Sequence, residues 1–159
     1  MDISCVMLDA NFFIRLLNEN DELHENTLKF YKHFLEKQSI LKCSTISIAE
    51  YCVKGKLDEL PLKDVQILPF NIAHAERAGE LARTVFEKRK TLKIKERNII
   101  PNDTKLFAQA DVESQIRIFA TSDEDCIKIY DFLKRELKLN FEIINIRDEF
   151  SNVFGFLGL

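Results

Sequence analysis

Four acidic residues draw attention by where they stand relative to the apolar segments of the chain. Asp9 follows directly on the apolar run at 3–8, and Asp123 comes three residues after the run at 116–120. Glu50 is set among Ile46, Ile48, Ala49, Tyr51, Cys52 and Val53, while Asp103 precedes Leu106, Phe107 and Ala110. Taken singly, an Asp after a strand or at a helix start is most often an N-cap, and Asp103 and Asp123 both have good cap positions. Glu50 is harder to read that way because its neighbours are mostly apolar. It is the joint placement that points to chemistry. Carboxylates gathered at one place repel one another unless they are protonated or share cations. Hard, oxygen-liganded divalent ions, Mg²⁺ or Mn²⁺, suit such a set.

Convergence requires a particular scaffold. Short apolar runs predict strands over 3–8, 40–44, 65–70, 116–120 and 141–146. Pro69 should lie near the end of its strand or at a sheet edge. Helical spacing joins Phe12, Phe13, Leu16 and Leu17, and an amphipathic helix over 21–38 aligns Leu23, Thr27, Phe30, Tyr31, Phe34 and Leu35. Ile46, Ala49 and Val53 start a helix that Gly55 can end. Asn71 caps a long helix carrying Ile72, Ala75, Gly79, Ala82, Val85 and Phe86, and Asn102 or Asp103 caps the next. Ser122 or Asp123 begins the last helix, with Cys126, Ile129, Tyr130, Leu133 and Leu137 inside it. Strands alternating with helices imply parallel βαβ units and a sheet covered on both faces. In such sheets chemistry gathers beyond the carboxyl ends of the strands, which is where Asp9, Glu50, Asp103 and Asp123 would stand.

Composition agrees with one α/β domain spanning 1–159. The 159 residues are 46% apolar with 13 Phe, and only 4 Gly and 3 Pro, which excludes a low-complexity or collagen-like chain. Net charge is −3, so a nucleic-acid partner must be met by a local patch. The densest is EKRKTLKIKER, in which Lys88, Arg89, Lys90, Lys93, Lys95 and Arg97 could track a phosphate backbone or simply form a solvated helix end. Gly55, Gly79, Gly155 and Gly158 are isolated, so no phosphate loop exists. His24, His33 and His74 lie in helical segments without a nucleophile. Cys5, Cys43, Cys52 and Cys126 contain no Cys-x-x-Cys spacing and read as core thiols in a reducing compartment. No uncharged run approaches the roughly 20 residues of a spanning helix. The expected location is the cytoplasm, away from any membrane. The tail at 147–159 carries Phe150, Val153, Phe154, Phe156, Leu157 and Leu159, expected to pack on the domain or across a dimer interface.

Four motifs give these residues a family. VMLDANFFIRLL resembles the first motif of PIN domains, an apolar strand followed by Asp, a small residue and Asn. CSTISIAEYC, with Ser44 and Ser47 before Glu50, is similar to the second; NDTKLFAQA resembles the third; IRIFATSDEDC resembles the fourth. They occur in order over about residues 3–146. The resemblance implies a three-layer α/β/α fold whose parallel five-stranded sheet has the order 3-2-1-4-5, with strands one and four adjacent. It makes Asp9, Glu50, Asp103 and Asp123 the metal-binding and catalytic carboxylates. The fourth motif departs from the family by having Cys126 where Phe is usual, which leaves Asp125 able to share or replace the role of Asp123.

The activity so implied is Mg²⁺- or Mn²⁺-dependent endonucleolytic hydrolysis of phosphodiester bonds in RNA, expected on single strands. One ion at Asp9 and Asp103 would activate water; a second, bridged from Asp9 toward Glu50 or Asp123, would stabilise the leaving 3′-oxygen. Asn11 would orient Asp9 or touch substrate, and Ser47 and Thr121 would donate hydrogen bonds to the carboxylates. Two divalent ions would carry the net charge from −3 to +1. Small free-standing members of the family often serve as VapC-like toxins, homodimers blocked by an antitoxin protein. Other readings are an RNA-processing nuclease unrelated to toxins and an inactive module that binds RNA or protein.

Overall fold

Parallel pairing of the apolar segments, with a helix between each strand and the next, is what the computed structural model shows; it describes residues 1–88 and 99–155. In chain order the elements are β1 (Cys5–Leu8), α1 (Ala10–Leu17), α2 (His24–Glu36), β2 (Ile40–Ser44) and α3 (Thr45–Tyr51). A 3₁₀ turn (Leu57–Glu59), β3 (Val65–Leu68), α4 (Ile72–Glu87) and α5 (Ile99–Val112) follow. β4 (Ile118–Thr121), α6 (Glu124–Glu136), β5 (Glu142–Asn145) and α7 (Phe150–Phe154) complete the described chain. The sheet order is β3-β2-β1-β4-β5, and all four pairings are parallel. This is the α/β/α arrangement expected.

Central β1 has side chains on two cores. Cys5 and Met7 enter one, with Leu81, Val85, Phe107 and Leu133 from the helices on that side. Val6 and Leu8 enter the other, with Phe12, Phe13, Phe30 and Phe34. Both faces are therefore dry, which is why the strand reads as a continuous apolar run rather than an alternation. Pro69 falls just past the end of β3, an edge strand, where its missing N–H costs no ladder bond.

Several local expectations shift. On α4 the buried stripe is His74, Ala78, Leu81 and Val85, while Ile72 is 88% exposed. The helix is turned by His74, whose Nδ1 accepts from Asn71 N at 3.0 Å and whose Nε2 meets Glu113 Oε1 at 2.8 Å. On α3 the buried residues are Ser47 and Tyr51, and the helix stops at Tyr51, leaving Val53 exposed. Gly55 matters there for room: a Cβ would lie 2.4 Å from the Tyr51 ring. All four cysteines are free; Cys5, Cys43 and Cys126 are buried as core thiols, but Cys52, just past α3, is exposed. Among the described residues no helix is long and apolar enough to cross a membrane.

The last described segment is stitched to α2. Asn26 Nδ2 donates to Ile146 O and Asp148 O, both at 2.8 Å, and its Oδ1 accepts from Phe150 N at 2.9 Å. Phe150 and Phe154 pack edge-to-face against Phe30 at centroid distances of 5.3 and 6.0 Å, and the Phe154 and His33 ring centroids lie 4.4 Å apart. Phe156, Leu157 and Leu159 lie outside the described residues. Removing a buried aromatic ring costs about 3 kcal/mol, so Phe154→Ala should lower Tm by about 6–12 °C. Deleting residues 151–159 should act in the same direction in differential scanning fluorimetry; an unchanged Tm for both would show that α7 adds nothing to the folded unit.

Candidate active site

The β1–β4 pairing decides where the first acid goes. Leu8 lies opposite Ala120, and Asp9 N donates to Ala120 O at 3.1 Å, so Asp9 and Thr121 emerge side by side. Asp9 caps α1, its Oδ1 accepting from Ala10 N at 2.7 Å. Its Oδ2 accepts from Asn11 Nδ2 at 2.7 Å and from Thr121 Oγ1 at 2.9 Å. The capping role and the site position are thus combined in one residue. Asp123 likewise caps α6, with Oδ1 accepting from Asp125 N and Cys126 N at 2.9 and 3.2 Å.

Asn11 closes the knot. Its Oδ1 accepts from Ser122 N at 2.8 Å and Ser122 Oγ at 3.0 Å, while Thr121 Oγ1 accepts from Asp123 N at 3.1 Å. Thr121 and Asn11 therefore both donate a hydrogen bond to Asp9 Oδ2. Ser47 does not: its Oγ is buried without a hydrogen-bond partner, because that side of α3 faces the core. Ser44 is the serine that bonds, capping α3 through Ile46 N at 3.0 Å and donating to Gln109 Oε1 of α5.

Asp103 is not a cap. α5 already runs from Ile99, with Pro101 in its first turn, where a missing N–H is harmless, so Asn102 and Asp103 are inside the helix. From there Asn102 Nδ2 reaches Glu50 Oε1 at 3.3 Å and links α5 to α3. Asp103 is 7% exposed, and its buried Oδ2 has no hydrogen-bond partner. Asp9, Glu50, Asp103 and Asp123 line one cavity of ≈ 260 Å³ together with Asn11 and Asn102. Asp125 lines the adjoining cavity and approaches Lys128 at 3.5 Å. Of the basic run, Lys88 pairs with Glu136 at 3.1 Å; Arg89, Lys90, Lys93, Lys95 and Arg97 lie outside the described residues.

Burial, reinforced by the charges of Asp9, Asp123 and Glu50, pushes the Asp103 carboxyl up to about 8. Burial, with Asp9 and Asp123 adding to it, brings Glu50 to about 7. Asp9 is raised by burial against the three hydrogen bonds that favour its charged form. Among the described residues no group of three or more His, Cys, Asp or Glu side chains is placed to hold a metal ion together. Mg²⁺ does not ask for one, since it usually binds one or two carboxylates and keeps several waters. An all-oxygen donor set with an unpartnered buried carboxylate oxygen at Asp103 fits such an ion.

The PIN domain model matches residues 6–133. The chain belongs to the PIN domain family. Nuclease is the class of activity that membership in this PIN family supports. No curated protein matches this PIN domain in sequence. Among solved structures it is similar to FitAcB from Neisseria gonorrhoeae, at 17% identity and TM-score 0.61 over 89% of this chain and 97% of that one. It is also similar to VapBC2 from Rickettsia felis bound to a DNA fragment from their promoter, at 21% identity and TM-score 0.55 over 89% and 98% of the two chains. A third is VapC20 from Mycobacterium tuberculosis, a Sarcin-Ricin loop cleaving toxin, at 16% identity and TM-score 0.52 over 77% and 92%. At these identities the likeness is one of fold.

Four acids in one cavity have a consequence for stability. A carboxyl raised on folding, as in Asp103 and Glu50, stabilises the fold below its unfolded value near 4, and that contribution is lost as pH rises through about 7–8. In chelator, Tm should therefore fall between about pH 5 and pH 8. Asp103→Asn should flatten the curve and raise Tm at pH 8 by about 2 °C or more, the shift that ~1 kcal/mol produces in a chain of this length. A variant no more stable than wild type at pH 8 would mean that burying this charge imposes no strain.

Proposed function

We propose that this PIN domain is an endoribonuclease in which Asp9, Glu50, Asp103 and Asp123 hold one or two Mg²⁺ or Mn²⁺ ions. The observation that carries this reading is the single cavity lined by all four acids, with the Asp103 Oδ2 buried and unpartnered. When bound, a divalent ion lowers the pKa of water toward neutrality and offsets the charge that builds on the phosphoryl group. The protein supplies position. Thr121 and Asn11 fix the Asp9 carboxylate, and Asn102 steadies Glu50. Binding of an ion would displace the protons that Asp103 and Glu50 hold below about 8 and 7, so apparent affinity should weaken toward acid pH.

The fold likeness to the VapBC structures supports a toxin held by an antitoxin protein. Action in the cytoplasm as a homodimer is part of this proposal and rests on the motif resemblance alone. An apolar groove supports a protein partner. Ile14, Leu17 and Val53, exposed at 48%, 41% and 79%, line a cavity of ≈ 670 Å³ that also includes Glu50. A partner seated there would cover one edge of the carboxylate site. An inactive binding module is disfavoured, because all four acids are present and share the cavity.

The test is cleavage of labelled single-stranded RNA by purified protein in Mn²⁺, Mg²⁺ or EDTA. Cutting should require the metal, fall by roughly 100-fold or more in Asp9→Asn, and fall about 10–100-fold in Thr121→Val, which removes a hydrogen bond to a ligand. Calorimetry should show Mn²⁺ binding that Asp9→Asn weakens. Absence of both cutting and Mn²⁺ binding across varied RNAs would sink this proposal in favour of the binding module.

A further inference from the structure

A second cavity, of ≈ 330 Å³, adjoins the carboxylate site and shares Asn11 and Asp123 with it. Its volume is at the low end of the about 300–1,000 Å³ typical of small-ligand sites. Two arginines line it, and both are anchored to the residue between Thr121 and Asp123. Arg15 Nε donates to Ser122 Oγ at 2.8 Å, and Arg147 Nε donates to Ser122 O at 2.8 Å. They differ in what remains. Arg15 Nη1 is committed to both oxygens of Asp21, at 2.8 and 3.0 Å. Arg147 approaches Glu22 and Glu124 only at 3.9 and 4.0 Å, and those glutamates are 77% and 71% exposed. Ion pairs so long and so wet contribute little, and an incoming anion can replace them.

We propose that Arg147, anchored on Ser122 and assisted by the charge of Arg15, holds a backbone phosphate of a single-stranded RNA beside the scissile one. The inference rests on the nuclease reading and adds the contact that reading lacks. A chain of net charge −3 with an acidic site must hold a polyanion through local cations. A guanidinium whose Nε is fixed by a backbone carbonyl keeps its Nη donors in a preset plane, the geometry a phosphate accepts in pairs. Arg147 lies just beyond β5 and so reaches the same sheet end as Asp9 and Asp123. Phosphate contacts of this kind fix the register of the strand without reading its bases.

The experiment compares wild type, Arg147→Gln and Arg147→Lys. RNA binding is read by fluorescence anisotropy in Ca²⁺ across a salt series, and cleavage is read in Mn²⁺. Arg147→Gln should weaken binding about tenfold and reduce the slope of log affinity against log salt by about 0.7, one phosphate's share on a single strand. Arg147→Lys should recover most of the slope. In cleavage, KM should rise while kcat stays within about twofold, and Mn²⁺ titration should be unchanged. An unchanged slope in Arg147→Gln overturns the proposal even if affinity drops, because the arginine would then only be holding Ser122. Wild type that binds RNA with this slope but does not cut it overturns the nuclease reading and leaves the phosphate contact standing. Wild type that does not bind RNA overturns the contact.

Discussion

Mutual repulsion among four carboxylates in one partly dry cavity is the constraint that the surrounding structure has to withstand. The acids arrive on four different elements: Asp9 after β1, Glu50 on α3, Asp103 on α5 and Asp123 before α6. Repulsion would move those elements apart, so each is tied to the rest by bonds away from the carboxylates. Gln109, six residues beyond Asp103 on α5, accepts from Ser44 Oγ at the start of α3 and donates from Nε2 to Leu68 O at 3.2 Å. That fully buried amide locks α5 to the ends of β2 and β3. On the opposite side of the sheet's centre, Asn11 and Thr121 bind the start of α1 to the end of β4. Buried, satisfied polar bonds of this kind specify one arrangement more strictly than apolar contact can.

The carboxylates are not equivalent within this frame. Asp9 has its lone pairs engaged by a backbone amide, an amide side chain and a hydroxyl, and its orientation is set. Asp103 has a buried oxygen with no partner, which ordinarily costs about 1–3 kcal/mol and more for a charged group. The rest of the interior avoids that cost: among the described residues only Ser39 and Ser47 contribute other orphaned side-chain atoms. A fold that pairs both ends of the Gln109 amide and leaves an Asp103 oxygen open puts the cost of an unpartnered charged group at that carboxylate, the two orphaned serine hydroxyls being neutral. A buried acid oxygen without a partner calls for an explanation, and the cavity that Asp103 shares with Asp9, Glu50 and Asp123 is where one is to be sought.

That contrast also explains what could be read beforehand. Strands were legible because β1 and β4 are buried on both faces and leave uninterrupted apolar runs. Their neighbours in the sheet were not, since an apolar run carries no record of its partner; the order came from the resemblance of four motifs. Helix faces were misjudged where a polar residue turned inward, as His74 does to meet Glu113, or where a helix ended early, as α3 does before Val53. Asn102 or Asp103 reads as a cap because either suits the start of the apolar helical pattern that follows, yet the helix begins at Ile99 and accommodates Pro101 in its first turn. Arg15 and Arg147 gave no signal at all. Each is a single basic residue, and the bond that makes Arg15 part of the site spans 107 positions to Ser122.

Ser122 shows how closely the acidic and basic parts of this surface are coupled. Its neighbours Thr121 and Asp123 serve the carboxylate cavity, while its own hydroxyl and carbonyl receive Arg15 and Arg147. A displacement of this tripeptide would therefore disturb Asp9, Asp123 and both arginines together. An acidic cavity repels a nucleic acid, and an arginine far from it would hold the polymer in the wrong place. Anchoring Arg15 and Arg147 on Ser122, in the turn after β4 that also carries Asp123, removes that conflict. The positive groups lie where a phosphate must already be close to the carboxylates, so attraction and correct placement are satisfied by the same backbone segment.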